Sequence, residues 1–75
     1  MTNADDIKDL ALSFARADAD REEAVRELET RCGGRRVAAV RARQHLAEEL
    51  EADAGRVEIE RAISLLDDLL GRLPV

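Results

Sequence analysis

Arg31-Cys32-Gly33-Gly34-Arg35-Arg36 holds the only adjacent glycine pair in the chain, and it separates two long runs of helical periodicity. Glycine tolerates the left-handed backbone that ends a helix, and two in succession permit a tight reversal. The same stretch opens a segment, Thr30 to Ala47, with five arginines (Arg31, Arg35, Arg36, Arg41 and Arg43) and no acid. The sequence on either side is acidic or of mixed charge, so this turn divides the chain in electrostatics as well as in shape.

Upstream of the turn, Ile7, Leu10, Phe14, Ala17, Val25, Leu28 and Cys32 recur at spacings of three and four or their multiples, the period of an amphipathic helix. Thr2 or Asn3 offers an N-cap, and Asp5 and Asp6 place negative charge in the first turn, where the helix dipole favours it. The reading is one helix over residues 4–32, about 42 Å long. No Gly or Pro interrupts it, and Glu22/Arg26 and Glu27/Arg31 stand in the favourable i,i+4 order. Asp18 and Arg21 fall on the apolar face. Either the helix rotates slightly or both side chains snorkel to its edge, or else they form a polar layer that sets register in a bundle.

Downstream, a second helix over residues 35–54 has Val37, Val40, Ala47, Leu50 and Ala54 along its apolar side, with Arg36 and Arg43 inside the same stripe. A short connection favours an antiparallel hairpin, which would set Arg43 beside Glu22 and Glu23. Gly55 then breaks the helix, the alternative being that the second helix runs on through it at a cost of about 1 kcal/mol. The final helix, residues 57–73, carries the cleanest apolar stripe, Ile59, Ala62, Ile63, Leu66, Leu69, Leu70 and Leu73, and Pro74 stops it. No repeat, linker or strand-period segment occurs. The fold expected is all-α: an antiparallel helical hairpin plus a third C-terminal helix, one domain over residues 1–75.

Size argues for assembly. Of the apolar residues, 13 are alanine, and Phe14 is the only aromatic; Leu, Ile, Val and Phe together number 19 in 75 residues. A core that small is marginal, and small domains usually add a disulfide, a metal or a partner subunit. One cysteine excludes an internal disulfide. The expectation is therefore a homo-oligomeric, coiled-coil-like bundle, most simply a dimer, with Ile59, Ile63, Leu66, Leu69, Leu70 and Leu73 buried in a symmetric contact. A single reduced cysteine and the lack of a signal or membrane-spanning pattern point to the cytoplasm. Eleven arginines against one lysine suggest a GC-rich bacterial genome.

Chemistry has little to stand on. His45 has Glu48 and Glu49 at i+3 and i+4, but it is the only histidine, and metal sites need three or more ligands; a surface pair with Glu49 is the simpler reading. Cys32 lies on the apolar stripe far from His45 and reads as a small buried hydrophobe. Ser13 and Ser64 have no triad around them, and Gly33-Gly34 lacks the phosphate-loop pattern. The length and acidity are those of an acyl carrier protein, yet the Asp-Ser-Leu attachment motif is absent. No enzyme activity, cofactor or metal is expected.

The arginines carry what functional signal there is. Arg31 sits at a helix end where the dipole favours a cation, but Arg35 and Arg36 open a helix, where it does not. Acids of the first helix, acids of a partner, or phosphates must offset them. A net charge of −5 and a single aromatic argue against nucleic acid. The sequence thus reads as a non-catalytic helical protein–protein interaction module, a small cytoplasmic regulator or accessory subunit with an acidic protein partner at Arg35, Arg36, Arg41 and Arg43. The alternative is a small acidic transcription-associated or antitoxin-type regulator that touches DNA or a toxin through the same arginines.

Overall fold

The computed structural model describes residues 3–73, which form four α-helices: α1 Ala4–Ala17, α2 Arg21–Cys32, α3 Arg36–Ala52 and α4 Val57–Arg72. No strand occurs among the described residues, in keeping with the all-α reading. Asn3 closes a capping box at the start of α1: its side chain accepts from the Asp6 N–H at 3.0 Å, and the Asp6 carboxylate accepts from the Asn3 N–H at 3.4 Å. Thr2, the other candidate cap, and Pro74 lie outside the described residues.

The first helix expected from the sequence is two helices. Asp18 takes the left-handed conformation (φ 53°, ψ 41°), and its N–H donates back to the carbonyls of Phe14 and Ala15. Asp20 then caps α2 by accepting from the N–H groups of Glu22 at 2.8 Å and Glu23 at 3.3 Å. Aspartate adopts left-handed dihedrals more readily than most residues and is a strong N-cap, so Asp18-Ala19-Asp20 turns the chain without glycine. Asp18 and Arg21 accordingly form neither a rotated stripe nor a polar layer. Arg21 instead reaches α4, donating to the Ser64 carbonyl at 3.0 Å and the Ser64 Oγ at 2.7 Å and pairing with Asp68.

Breaking that helix changes the packing. α4 touches all three other helices and packs most extensively on α3, while α1 lies against both α3 and α4. α2 and α3, the two helices that flank Gly33-Gly34, share the least contact of any pair; the extensive pairing expected across the glycine turn does not form. Ile7, Val25, Leu28, Leu46, Ile59, Leu66 and Leu69 are fully buried at the centre. Ala11, Ala24, Ala39, Ala42 and Ala62 are also completely buried and let the helix backbones approach. Burying each Leu or Ile contributes about 1.5–3 kcal/mol.

The stripe assigned to a subunit contact is part of this core. Ile59, Leu66, Leu69 and Leu73 are buried within the chain, and Ile63 and Leu70 are half-buried against the same cluster. The cover that the sequence reading sought in a second copy comes from α1, α2 and α3. Gly55 does break the chain between α3 and α4, at φ 101°. At the other turn, Gly33 (φ 57°) donates its N–H to the carbonyls of Glu29 and Thr30, each at 3.2 Å, and ends α2.

Two glycine-to-alanine changes separate backbone strain from helix propensity. Open space surrounds the position of an added Cβ at both Gly33 and Gly71. Gly33→Ala forces a left-handed alanine and lowers stability by about 1–2 kcal/mol, whereas Gly71→Ala, within α4, raises it by about 0.5 kcal/mol. Urea unfolding followed by circular dichroism reads both; shifts of the same sign would contradict the assigned backbone conformations.

Candidate partner-binding face

α3 faces the core with Ala39, Ala42 and Leu46, spaced by three and four. This differs from the apolar side read from the sequence, which counted Val37 and Val40 as inward. Small alanines let α3 approach α1 and α4 closely, and the bulkier valines turn outward: Val37 is 63% exposed and Val40 42% exposed. With Arg41, Gln44 and Glu48 they line the outer face of the helix, all exposed. Val57, 52% exposed, starts α4 beyond the far end of α3.

The same rotation sorts the four arginines. Arg36 is half-buried and donates to the Leu70 carbonyl at 2.9 Å, satisfying an acceptor in the last turn of α4. Arg43 pairs with Asp67 of α4 rather than with Glu22 or Glu23. Both side chains reach from α3 to polar atoms of α4. Arg35 and Arg41 make no ion pair or side-chain hydrogen bond among the described residues and are exposed. They flank a shallow depression lined by Asn3, Ala4, Val37 and Ala38.

Such freedom is uncommon in this chain. Arg21, Arg26, Arg31, Arg43, Arg56, Arg61 and Arg72 each lie within ion-pair distance of an acid, and Arg36 has its carbonyl. Arg16 is the remaining exception, and its charge acts on Glu58. The N-terminus of α3 is also electropositive, because its N-cap is Arg35, no side chain accepts from its first amides, and its first turn holds no acid. The arginines at its start are not neutralised by the first helix, as the sequence left possible. Of the nearby acids, Glu48 lies nearly two turns along α3 from Arg41, and Asp5 has its Oδ1 3.8 Å from Nδ1 of His45, one turn beyond Arg41. Glu49, expected as the partner of His45, is instead 3.1 Å from Lys8 Nζ, an ion pair without hydrogen-bond alignment.

Other reactive groups are accounted for by packing. Cys32 is buried, and burial pushes its thiol above the ordinary value, the opposite of what activates a nucleophilic cysteine. Ser64 Oγ accepts from Arg21. Among the described residues no group of three or more His, Cys, Asp or Glu is placed to hold a metal, and no helix is long and apolar enough to cross a membrane. No protein-family model, curated protein or solved structure matches this chain.

Polar pairs fasten the first turn of α2 to α4, through Arg21 and Glu22. Arg72 donates to Glu22 through two nitrogens, at 3.0 and 2.7 Å. These hydrogen bonds, reinforced by the Arg72 charge, hold the Glu22 carboxyl below the ordinary value of 4.5. A depressed folded-state pKa contributes stability above the unfolded value and loses it as pH falls through the folded value. Glu22→Gln is therefore less stable than the natural chain at pH 7, and the difference closes in acid well below pH 4.5. Urea titrations at several pH values measure this, and a difference that stayed constant would remove the pair from the stability of the fold.

Proposed function

We propose that the chain is a non-catalytic helical protein–protein interaction module, a small cytoplasmic regulator or accessory subunit. Its working surface is the outer face of α3. One observation carries this reading: among the described residues Arg35 and Arg41 stand unpaired beside exposed Val37 and Val40, in a chain of net charge −5 whose other arginines are nearly all engaged. Apolar side chains between unpaired cations match a partner surface with an apolar centre and acidic rim. Arg36 and Arg43, named with them from the sequence, act as braces between α3 and α4 and hold the face in place.

Helix-in-groove recognition uses residues one turn apart on a single helix, and Val37, Val40, Arg41 and Gln44 have that spacing. Weak, salt-sensitive binding follows from a face this small, because exposed charges steer association and are screened by salt.

Separating the arginine pairs tests the assignment. A photoreactive residue in place of Val40 is expected to cross-link a partner in cells, and Arg35→Glu with Arg41→Glu abolishes the cross-link while leaving the thermal midpoint within a few degrees. Arg36→Ala with Arg43→Ala lowers the midpoint instead. A cross-link indifferent to Arg35 and Arg41 would rule out this face.

A further inference from the structure

α1 and α2 enclose a second surface feature, a groove lined by Leu10, Phe14, Glu23, Arg26 and Glu27. Phe14 is the only aromatic residue of the chain, and it lies here half-buried rather than in the central core. Leu10 and Phe14 are one helical turn apart and form an apolar wall, and Glu23 and Glu27, also one turn apart, stand on the opposite helix. Glu23 makes no ion pair among the described residues, and Glu27 meets only Arg31, at 3.8 Å between exposed side chains.

This groove is the complement of the α3 face. One surface offers two valines a turn apart between two arginines unpaired among the described residues; the other offers a leucine and a phenylalanine a turn apart beside two glutamates, with Arg26 between them drawn to Glu22 at 3.8 Å. The surfaces share no residue. The helices that carry their charges, α3 and α2, touch least of all helix pairs. From this complementarity we infer that the acidic partner of the α3 face is a second copy of this chain, whose α1–α2 groove receives it. Val37 and Val40 pack on Leu10 and Phe14, while Arg35 and Arg41 approach Glu23 and Glu27. This rests on the reading of the α3 face as an interaction surface.

The contact is heterologous: each copy gives its α3 face to one neighbour and its groove to another. Such contacts propagate into a ring when the rotation closes and into an open chain when it does not. The patch is small for a stable interface. A standard interface takes about 800 Å² from each partner, a large share of the 4683 Å² that one chain exposes. Association is accordingly weak.

Light scattering across a series from about 10 μM to about 1 mM at low salt spans the weak range. The mean mass is expected to climb from 8.3 kDa toward multiples of it and to fall back when salt is added. Arg35→Glu with Arg41→Glu stays at the single-chain mass, and so does Glu23→Arg with Glu27→Arg, because each carries like charge on both surfaces. An equimolar mixture of the two variants regains association, since each face now meets a groove of opposite charge. Circular dichroism confirms that both are folded; should positive charge in the first turn of α2 unfold the second, Glu23→Gln with Glu27→Gln replaces it and is expected to give a partial loss. A natural chain that stays at the single-chain mass throughout overturns the inference, as does a mixture of folded variants that fails to associate. If the chain stays single while the cross-link at Val40 still depends on Arg35 and Arg41, the α3 face stands and only the second copy is wrong; if the cross-link is indifferent as well, both fall.

Discussion

Covering α4 is the constraint from which the rest of the fold follows. Ile59, Ala62, Leu65, Leu66 and Leu69 present a broad apolar surface on one helix, and leaving it in water would forfeit about 25 cal/mol for every square ångström. A single antiparallel partner cannot wrap so wide a stripe. Three helices do, and the chain supplies three only because α1 and α2 are separate. The bend at Asp18-Ala19-Asp20 is thus what allows a short sequence to close its own core.

Charge then works as fastening rather than as foundation. No polar or charged residue is buried among the described residues, so the interior specifies position through shape alone. Alanine at Ala39 and Ala42 brings α3 close to its neighbours, and polar contacts at the periphery fix how the helices are turned: Arg36 on the Leu70 carbonyl, Arg43 on Asp67, Arg21 on Ser64 and Asp68, Arg72 on Glu22. Exposed pairs of this kind are individually worth little. Their placement around α4 matters more than their strength, because each ties a different helix position to the same central element.

Helix content was legible from periodicity, and both glycine breaks from the conformational freedom of Gly33 and Gly55. The corner at Asp18 was harder, because the periodic positions on either side of it remain in phase with one continuous helix. A local signal did exist: Asp20 followed by Glu23 has the spacing of an N-cap and its third helical residue. The rotation of α3 was less accessible. Alanine is frequent enough in this chain to carry little burial signal, so Val37 and Val40 outweighed Ala39 and Ala42 in the reading although they are the exposed pair. That error hid the candidate site as well, since four arginines on one segment look equivalent until packing shows which of them reach α4. Phe14 was assigned inward for a similar reason, and its half-buried place beside Glu23 and Glu27 depends on the bend.

The corner at Asp18-Ala19-Asp20 rests on two aspartate caps rather than on a glycine, between flanks whose periodicity also suits one continuous helix. Before α2 docks, nothing but the short-range bonds of Asp18 and Asp20 opposes helix running through the corner, and transient helices persist in denatured ensembles. Folding must therefore redirect a helix as well as collapse a chain. The energy for that redirection comes from sealing Val25, Leu28 and Cys32 against α4, contacts distant in sequence. The corner and the closed core therefore support each other, whereas the two glycine turns hold their shape from backbone conformation alone.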